Sequence, residues 1–305
     1  MSRIVVYGLG KYFEENREAI SNEYNVVAYC DINKEKVRKL GGREVSWLKN
    51  NDDFDTLLVT ARPMVTVPYL VDELKIPMRK ILVHKYESVR KNSDMIQFHG
   101  EHMEDCILLL LINKMKKPLK KIKYLEIGVN DPIIKNNSYL LYSLGMRGVL
   151  VDALPNVKTL ATLVRRYDSF VNVAVTNDKS LGDKITFYNC NYSGISSLSK
   201  EWILHAGVKE TDITEIQVPQ IEINDLMESI EFLPDILLLD AEGYDERLVR
   251  AIQYEKFSPS IIVAELGRPS PSLISFMKEA GYLLYTVVVD NAFFIRPERL
   301  KVIHG

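Results

Sequence analysis

The fold of this chain is decided by the stretch Leu237-Leu238-Leu239-Asp240-Ala241-Glu242-Gly243-Tyr244-Asp245. An apolar run ends abruptly in two carboxylates and a glycine, and a helix-like pattern follows. In an open α/β sheet, ligands bind at the carboxyl ends of the strands. We therefore expect Asp240 and Glu242 to face a crevice rather than the core.

Two further strand ends carry polar residues. The stretch Tyr124-Leu125-Glu126-Ile127-Gly128-Val129-Asn130 contains a glycine and an asparagine, and Gly148-Val149-Leu150-Val151-Asp152 ends in an acid. A glycine after a strand lets the backbone approach a ligand where a Cβ would collide. Asp152 follows Gly128 by 24 residues, about where an acid accepts hydrogen bonds from ribose hydroxyls. The pattern predicts a nucleotide-type cofactor site; the alternative is an ordinary strand–turn–helix with a surface aspartate.

The composition is that of a packed globular protein. Of 305 residues, 47% are hydrophobic and 26% are charged, and the net charge is −2. This balance gives no electrostatic reason to expect nucleic acid or an anionic membrane as a partner. The cysteines lack metal spacing, the N-terminus lacks a signal-like apolar segment, and the apolar run Cys106–Ile112 is too short to cross a bilayer. We expect a cytoplasmic protein.

Strand-like and helix-like patterns alternate along the chain, which indicates parallel sheets with right-handed crossovers. The patterns predict an N-terminal Rossmann-like domain over residues 1–93 and a second domain over residues 121–305. Residues 94–120 are predicted to form a helical connector, with one long helix from about Asp94 to Met115.

The second domain is predicted to hold five parallel strands, the third over Phe170–Val175, and then a β-rich insertion or lid over 183–223. Its end predicts a hairpin of Tyr282–Val289 and Ala292–Ile295, with Asp290-Asn291 in the tight turn. A parallel sheet closed in this way is the layout of class I methyltransferases. The predicted fold class is α/β, with two tandem Rossmann-like three-layer units, the second a class I methyltransferase sheet with an antiparallel final hairpin.

Asp240 and Glu242 are the first candidates for chemistry. Two close carboxylates can tune each other's pKa, bind a metal or accept a proton from a hydroxyl. Alternatively, Glu242 caps the following helix. His205 is a candidate general base because its unperturbed pKa lies near neutrality, although a lone histidine is more often structural. Glu265, at another strand end, is a further candidate.

The predicted lid contains Ser193-Gly194-Ile195-Ser196-Ser197-Leu198, followed by Trp202. Small polar residues beside an aromatic ring can contact a sugar-like acceptor. Plain loop composition explains the same pattern equally well.

The first domain carries part of a dinucleotide fingerprint. Gly8-Leu9-Gly10 and Asp31 fit it, but Phe13 stands where the third glycine belongs. Arg62, after another strand, could clamp a phosphate. An NAD- or sugar-nucleotide-dependent oxidoreductase or epimerase centred on this domain is therefore an alternative function. A Rossmann-like fold with no bound redox cofactor explains the pattern at least as well.

The second domain resembles the FkbM family of S-adenosylmethionine-dependent methyltransferases over roughly residues 121–265. Five blocks in family order carry the resemblance: Glu126-Ile127-Gly128-Val129-Asn130, Val151-Asp152-Ala153-Leu154-Pro155, Asn172-Val173-Ala174-Val175, Gly194-Ile195-Ser196-Ser197-Leu198 and Asp240-Ala241-Glu242-Gly243-Tyr244. The resemblance implies a class I methyltransferase fold and methyl transfer, usually onto a hydroxyl of a glycan or a secondary metabolite.

With this resemblance, S-adenosylmethionine is the expected cofactor. Its expected binding residues are Glu126, Gly128, Asn130, Asp152 and Ala153. The predicted catalytic residues are Asp240, Glu242 and His205. Carboxylates suit Mg²⁺, but the pair alone is too thin a basis to assign a metal ligand. The expected partner is a small-molecule or glycan acceptor, such as a capsule, lipopolysaccharide or other surface glycan. Neither nucleic acid nor membrane is expected, and a homo-oligomer is left open.

Three positions depart from the family pattern. Glu126 stands where aspartate is usual, Pro132 where glycine is usual, and Leu238 where lysine is usual. If Pro132 blocks the cofactor loop, a non-catalytic binding module becomes the favoured alternative.

Overall fold

The structure, a computed structural model, describes residues 2–49, 53–91, 96–190 and 195–300. The chain divides into two compact units, residues 1–97 and 98–305. Residues 98–120, expected in a connector, thus belong to the second unit.

The first unit is built on one parallel sheet. Its strands are β1 (Arg3–Tyr7), β2 (Asn25–Cys30), β3 (Thr56–Val59) and β4 (Ile81–Val83). Its helices are α1 (Lys11–Glu23), α2 (Lys34–Leu40), α3 (Val45–Lys49), α4 (Pro63–Pro68) and α5 (His84–Lys91). The strands follow the order β2-β1-β3-β4. This order begins the flavodoxin-like arrangement 2-1-3-4-5 rather than the 3-2-1 half of the dinucleotide-binding fold.

Apolar side chains of β1 and α1 form the core of the first unit. Ile4 and Val6 of the strand pack with Phe13 and Ile20 of the helix, and all four are buried. Phe13 thus fills the place where a third fingerprint glycine would let helix and strand approach closely.

Within the described residues, the second unit contains ten strands. They are β5 (Lys123–Ile127), β6 (Arg147–Val151), β7 (Ser169–Val171), β8 (Ala174–Thr176), β9 (Lys184–Asn189), β10 (Thr214–Glu222), β11 (Ile236–Leu239), β12 (Ile261–Glu265), β13 (Leu283–Val288) and β14 (Asn291–Ile295). Seven of them form the central sheet in the order β13-β14-β12-β11-β5-β6-β7. Strand β14 runs antiparallel to β12 and β13, and the other pairs are parallel. The α/β fold class and the antiparallel final hairpin are confirmed.

Helices cover the central sheet. They are α6 (Glu104–Ile112), α7 (Tyr139–Ser143), α8 (Pro155–Val164), α9 (Lys200–His205), α10 (Ile223–Ser229), α11 (Asp245–Ala251) and α12 (Pro271–Glu279). Leu237 and Leu239 of β11 pack in one buried cluster with Leu248 and Val249 of α11. Burying each such side chain contributes about 1.5–3 kcal/mol. This packing fixes the carboxyl end of β11, where the acidic residues follow.

The lid is a second, three-stranded sheet in the order β8-β10-β9. The single strand expected over Phe170–Val175 is in fact two strands in two sheets. Between them, the side-chain amide of Asn172 donates hydrogen bonds to the backbone carbonyls of Asp152 and Ala153, at 2.8 and 3.1 Å. These bonds hold the chain where it leaves the central sheet.

Two local predictions were wrong. Of the helix expected from about Asp94 to Met115, the described residues form only Glu104–Ile112, and Asp94 itself lies outside them. The helix begins after Met103, which has left-handed backbone angles with φ 65°. The hairpin turn lies at Val289-Asp290, one residue earlier than predicted, and Val289 has φ 52°. In the part of the chain that the structure describes, no helix has the length and apolar character needed to cross a membrane.

Candidate functional site

The loop after β5 is pressed against the end of β11. Gly128 has φ +84°, and a Cβ added there would lie 1.8 Å from the backbone oxygen of Asp240. The backbone N–H of Gly128 donates to Val151 at 2.9 Å, and that of Asp240 donates to Ile127 at 2.9 Å. The neighbouring strand end alone therefore requires glycine at this position. The contact brings together the predicted strand ends at Gly128 and Asp240.

Asp152 organises the same loop from the end of β6. Its Oδ2 accepts the N–H of Asn130 at 3.0 Å, and its Oδ1 accepts the N–H of Leu154 at 2.8 Å. The residue is 9% exposed. Burial raises the pKa of Asp152, and the backbone N–H donors partly oppose that effect. Each oxygen keeps a lone pair for a further donor.

A cleft opens beside Asp152. It is lined mainly by apolar side chains from the central sheet and the lid, among them Val151, Val173, Val175, Phe187 and Leu198. Gly128, Asn130, Asp152 and Ala153, four of the five predicted cofactor residues, also line it. We call this space the apolar cleft. Its mixture of apolar walls with a few polar groups is typical of small-ligand sites.

The side chain of Glu126, the fifth predicted cofactor residue, is buried and hydrogen-bonded to other residues of the protein. Its Oε2 accepts the hydroxyl of Ser138 at 2.6 Å, and the residue is 4% exposed. Burial raises the pKa of Glu126, against the opposing charge of Arg165. The structure thus places Glu126 in a buried network that supports the loop.

Arg165 is the centre of that network and was not foreseen. It is fully buried, pairs with Asp168 at 2.8 Å and donates to Tyr124 and Ser138 at 2.9 and 2.8 Å. Its guanidinium also donates to the backbone oxygen of Pro132 at 3.2 Å. Arginine is rarely buried without several partners. Only the tertiary structure brings these partners together, so no local sequence pattern could reveal the network.

A second, polar cavity lies next to the apolar cleft. The apolar cleft and the polar cavity are both lined by Gly128, Asn130, Asp240 and Glu242. The polar cavity is further lined by polar and charged side chains that include Glu101, Glu126, Lys135, Asn136, Asn137 and Glu265. Asp240 and Glu242 therefore lie at the boundary between an apolar and a polar compartment.

Three carboxylates meet at that boundary. One oxygen each from Asp240, Glu242 and Glu265 lies within 4.8 Å of the others. Asp240 and Glu265 share a hydrogen bond, and all three side chains are half-buried. Asp240 and Glu242 follow β11, and Glu265 ends β12. Because these strands are parallel neighbours, their ends meet at one edge of the sheet.

The cluster holds protons more tightly than ordinary carboxylates. Burial, and then the charges of Glu265, Glu242 and Asp245, raise the pKa of Asp240 well above its usual range. Burial and the charges of Glu265 and Asp245 raise the pKa of Glu242 to about 8. Burial raises the pKa of Glu265, while its hydrogen bond from Asp240 lowers it. Like charges this close cannot all ionise freely.

Asp245, the first residue of α11, was missed as part of this cluster. Its Oδ1 accepts the N–H of Ala241 at 2.9 Å, so Asp245 rather than Glu242 is the acid that braces the helix start. Burial raises the pKa of Asp245 to about 7. An acid in the first turn of a helix is a usable signal, but Asp245 was not among the predicted site residues.

The lid contacts the loop that carries Glu242. The hydroxyl of Ser197 donates to the backbone oxygen of Glu242 at 2.7 Å. Gly243 has φ +85°, and a Cβ there would lie 2.3 Å from the ring of Trp202. The structure thus packs Trp202 on this loop. Of the predicted lid motif, Ser193 and Gly194 lie outside the described residues.

His205 is not brought to the carboxylates. It ends helix α9 and is exposed, and it lines neither the apolar cleft nor the polar cavity. Its catalytic role stays a prediction that these two spaces do not support.

The loop with the partial dinucleotide fingerprint makes its contacts within the first unit. Asp31 Oδ2 accepts the N–H of Leu9 at 2.5 Å, and Oδ1 accepts the N–H of Asn33 at 2.8 Å. Gly8 has φ +103°, and a Cβ there would lie 2.5 Å from Cβ of Ala61. Both features are explained by packing within the unit.

A family model described as the methyltransferase FkbM domain matches residues 126–284, just over half of the chain. No curated protein sequence matches. Among solved structures, the methyltransferase FkbM of Methylobacillus flagellatus KT is 13% identical, with 96% of this chain and 90% of that chain covered and a TM-score of 0.33. An O-methyltransferase of Bacillus cereus in complex with SAH is 11% identical, with 75% and 94% covered and a TM-score of 0.32. A TehB-like SAM-dependent methyltransferase of Corynebacterium glutamicum is 11% identical, with 69% and 96% covered and a TM-score of 0.35.

Proposed function

The chain belongs to the methyltransferase FkbM family, and on that premise we propose that it transfers the methyl group of S-adenosylmethionine to a hydroxyl oxygen. The acceptor we propose is a sugar, a glycan such as a capsule, lipopolysaccharide or other surface glycan, or a related small metabolite. The observation that carries the proposal is the position of Asp240 and Glu242 between an apolar cleft and a polar cavity.

The apolar cleft suits the adenosine part of the cofactor. Its valines and Phe187 offer apolar surface for a base, and such sites combine apolar walls with a few polar groups that fix orientation. Asp152 lies at the strand end where an acidic residue accepts hydrogen bonds from ribose hydroxyls. The methionine part would then pass Gly128 and Asn130 toward Asp240.

The reaction needs alignment and removal of one proton. The acceptor oxygen attacks the methyl carbon as the carbon–sulfur bond breaks, and the electron pair of that bond stays on sulfur. S-adenosylhomocysteine leaves, and the hydroxyl proton passes to a carboxylate. Alignment of the two reactants supplies much of the acceleration in reactions of this kind, and a positioned base adds about 10²–10⁴-fold. Asp240 is our first candidate for that base, and Glu242 is the second.

The polar cavity suits an acceptor rich in hydroxyls. Its lining offers carboxylates, the amides of Asn136 and Asn137, and the ammonium of Lys135. These groups include both donors and acceptors of hydrogen bonds. A sugar presents the complementary set, which is why we favour it over an apolar metabolite.

The alternatives find less support. Asp31 is bound to the backbone of its own loop, which argues against NAD chemistry in the first unit. Pro132 is buried, and its backbone oxygen accepts a hydrogen bond from Arg165. It lines neither the apolar cleft nor the polar cavity. A blocked cofactor loop, and with it the non-catalytic binding module, is therefore not favoured.

Calorimetric titration of the full chain tests the proposal. S-adenosylmethionine and S-adenosylhomocysteine should each bind with a stoichiometry of one, and NAD should not bind. Binding of NAD without S-adenosylhomocysteine would overturn the assignment in favour of the first unit.

A further inference from the structure

The three boundary carboxylates have the spacing of a cation site. Divalent cations hold carboxylate oxygens at about 2.0–2.6 Å, so two ligands of one ion lie no more than about 5 Å apart. The oxygens of Asp240, Glu242 and Glu265 all lie within 4.8 Å of one another. Geometry alone allows all three to bind a single ion without rearrangement of the strands.

Two oxygens in this region lack the donors that buried anions require. Asp240 Oδ1 is inaccessible to solvent, and no donor among the described residues reaches it. Asp245 is 1% exposed, and its Oδ2 is likewise without a donor within the described ranges. Asp245 and Glu265 line one pocket, so this acid lies beside the cluster. Leaving such oxygens unsatisfied is costly, and both are explained by a positive charge at the cluster.

The neighbouring basic side chains do not supply that charge. Asp240 and Glu265 also line a pocket whose basic members, among the described residues, are Lys135 and His102. Lys135 pairs with Glu101, and His102 lies 3.4 Å from Glu104. Each is thus engaged by another carboxylate.

We propose that Asp240, Glu242 and Glu265 bind one divalent cation, Mg²⁺ or Mn²⁺, at the boundary between the apolar cleft and the polar cavity. These hard cations prefer oxygen ligands and keep several waters, which the open polar cavity accommodates. Only the cation's role rests on the proposed function: it would hold the acceptor hydroxyl beside the methyl group and favour loss of its proton. The competing explanation is a proton shared by Asp240 and Glu265.

Electron paramagnetic resonance with Mn²⁺ alone tests the site. Full-length protein freed of metal by chelation should bind one Mn²⁺ per chain, and Mg²⁺ should displace it. Glu265→Gln and Asp240→Asn should each weaken Mn²⁺ binding at least about tenfold, whereas Glu255→Gln, an exposed acid of the same unit, should not.

Calorimetry with S-adenosylhomocysteine on every variant shows that the fold is intact and separates the two proposals. No stoichiometric Mn²⁺ binding, or equal affinity in folded Glu265→Gln and wild-type protein, overturns the cation site and leaves the shared proton. Binding of Mn²⁺ without S-adenosylhomocysteine would instead overturn the proposed function while the cation site stands.

Discussion

Replacing Asp152 by asparagine is the sharpest test of the cofactor site. Alanine would leave the buried N–H groups of Asn130 and Leu154 without their acceptor, at about 1–3 kcal/mol of folding free energy each. Asparagine retains one acceptor oxygen and nearly the same shape, so at most one of these bonds is lost. The substitution therefore removes mainly the charge offered to a ribose.

The expected loss of affinity follows from the proposed ribose contact. A hydrogen bond to a charged group is worth about 1.5–3 kcal/mol, and each 1.4 kcal/mol is about tenfold in affinity. The dissociation constant of S-adenosylhomocysteine should thus rise about 10- to 140-fold in Asp152→Asn. Calorimetric titration of full-length wild type and variant measures it, and a thermal melt of each confirms that the variant is folded.

Asp178→Asn is the matched control. Asp178 also accepts the N–H of the residue two positions on, at 2.8 Å, but it is exposed and lies outside the apolar cleft. Its variant should bind S-adenosylhomocysteine as the wild type does. An unchanged dissociation constant in folded Asp152→Asn would remove Asp152 from the cofactor site and refute the reasoning from its strand end.

Three further outcomes are expected. Asp240→Asn should keep S-adenosylhomocysteine binding but lower turnover about 10²–10⁴-fold if Asp240 takes the proton; near-normal turnover on the true acceptor would exclude it. Gly128→Ala should lower the free energy of unfolding in urea far more than Gly182→Ala, because both have positive φ but only Gly128 faces an atom within 4 Å. Glu242 and Asp245, with pKa values of about 8 and 7, hold protons in the folded state that they lose on unfolding. The stability of metal-free protein should therefore fall from about pH 4 to 8, by up to about 1.4 kcal/mol per pH unit for each group. In Glu242→Gln the slope should be shallower; parallel curves would contradict this.

The fold was largely predictable because strand and helix patterns are local. Apolar runs such as Leu237–Leu239 predict a buried strand, and the acidic residues that follow them mark its end. The helix before the second sheet was not predictable in length, since the left-handed backbone of Met103 stops it and methionine carries no signal for that conformation. Likewise, nothing local shows that the chain changes sheets at Asn172.

The candidate site was predictable in its strand ends but not in its environment. Asp152, Asp240 and Glu242 lie where the sequence placed them because parallel strands end at one edge. Burial is a property of the whole structure, so the network of Arg165 and the low-dielectric setting of Asp245 could not be read from spacing. His205 illustrates the converse: its residue type suits base chemistry, but its position outside both spaces could not be predicted from the sequence.

Asp240 cannot at once be an effective base and the protonated partner of Glu265. Burial and the neighbouring acids raise the pKa of Asp240 well above its usual range, which favours the protonated form in the absence of a cation, and a protonated carboxyl group accepts no further proton. A divalent cation at the cluster would displace that proton and satisfy Asp240 Oδ1. Dependence of turnover on added Mg²⁺, compared between wild type and Glu265→Gln, therefore decides whether the acids act as a shared-proton base or as a cation site.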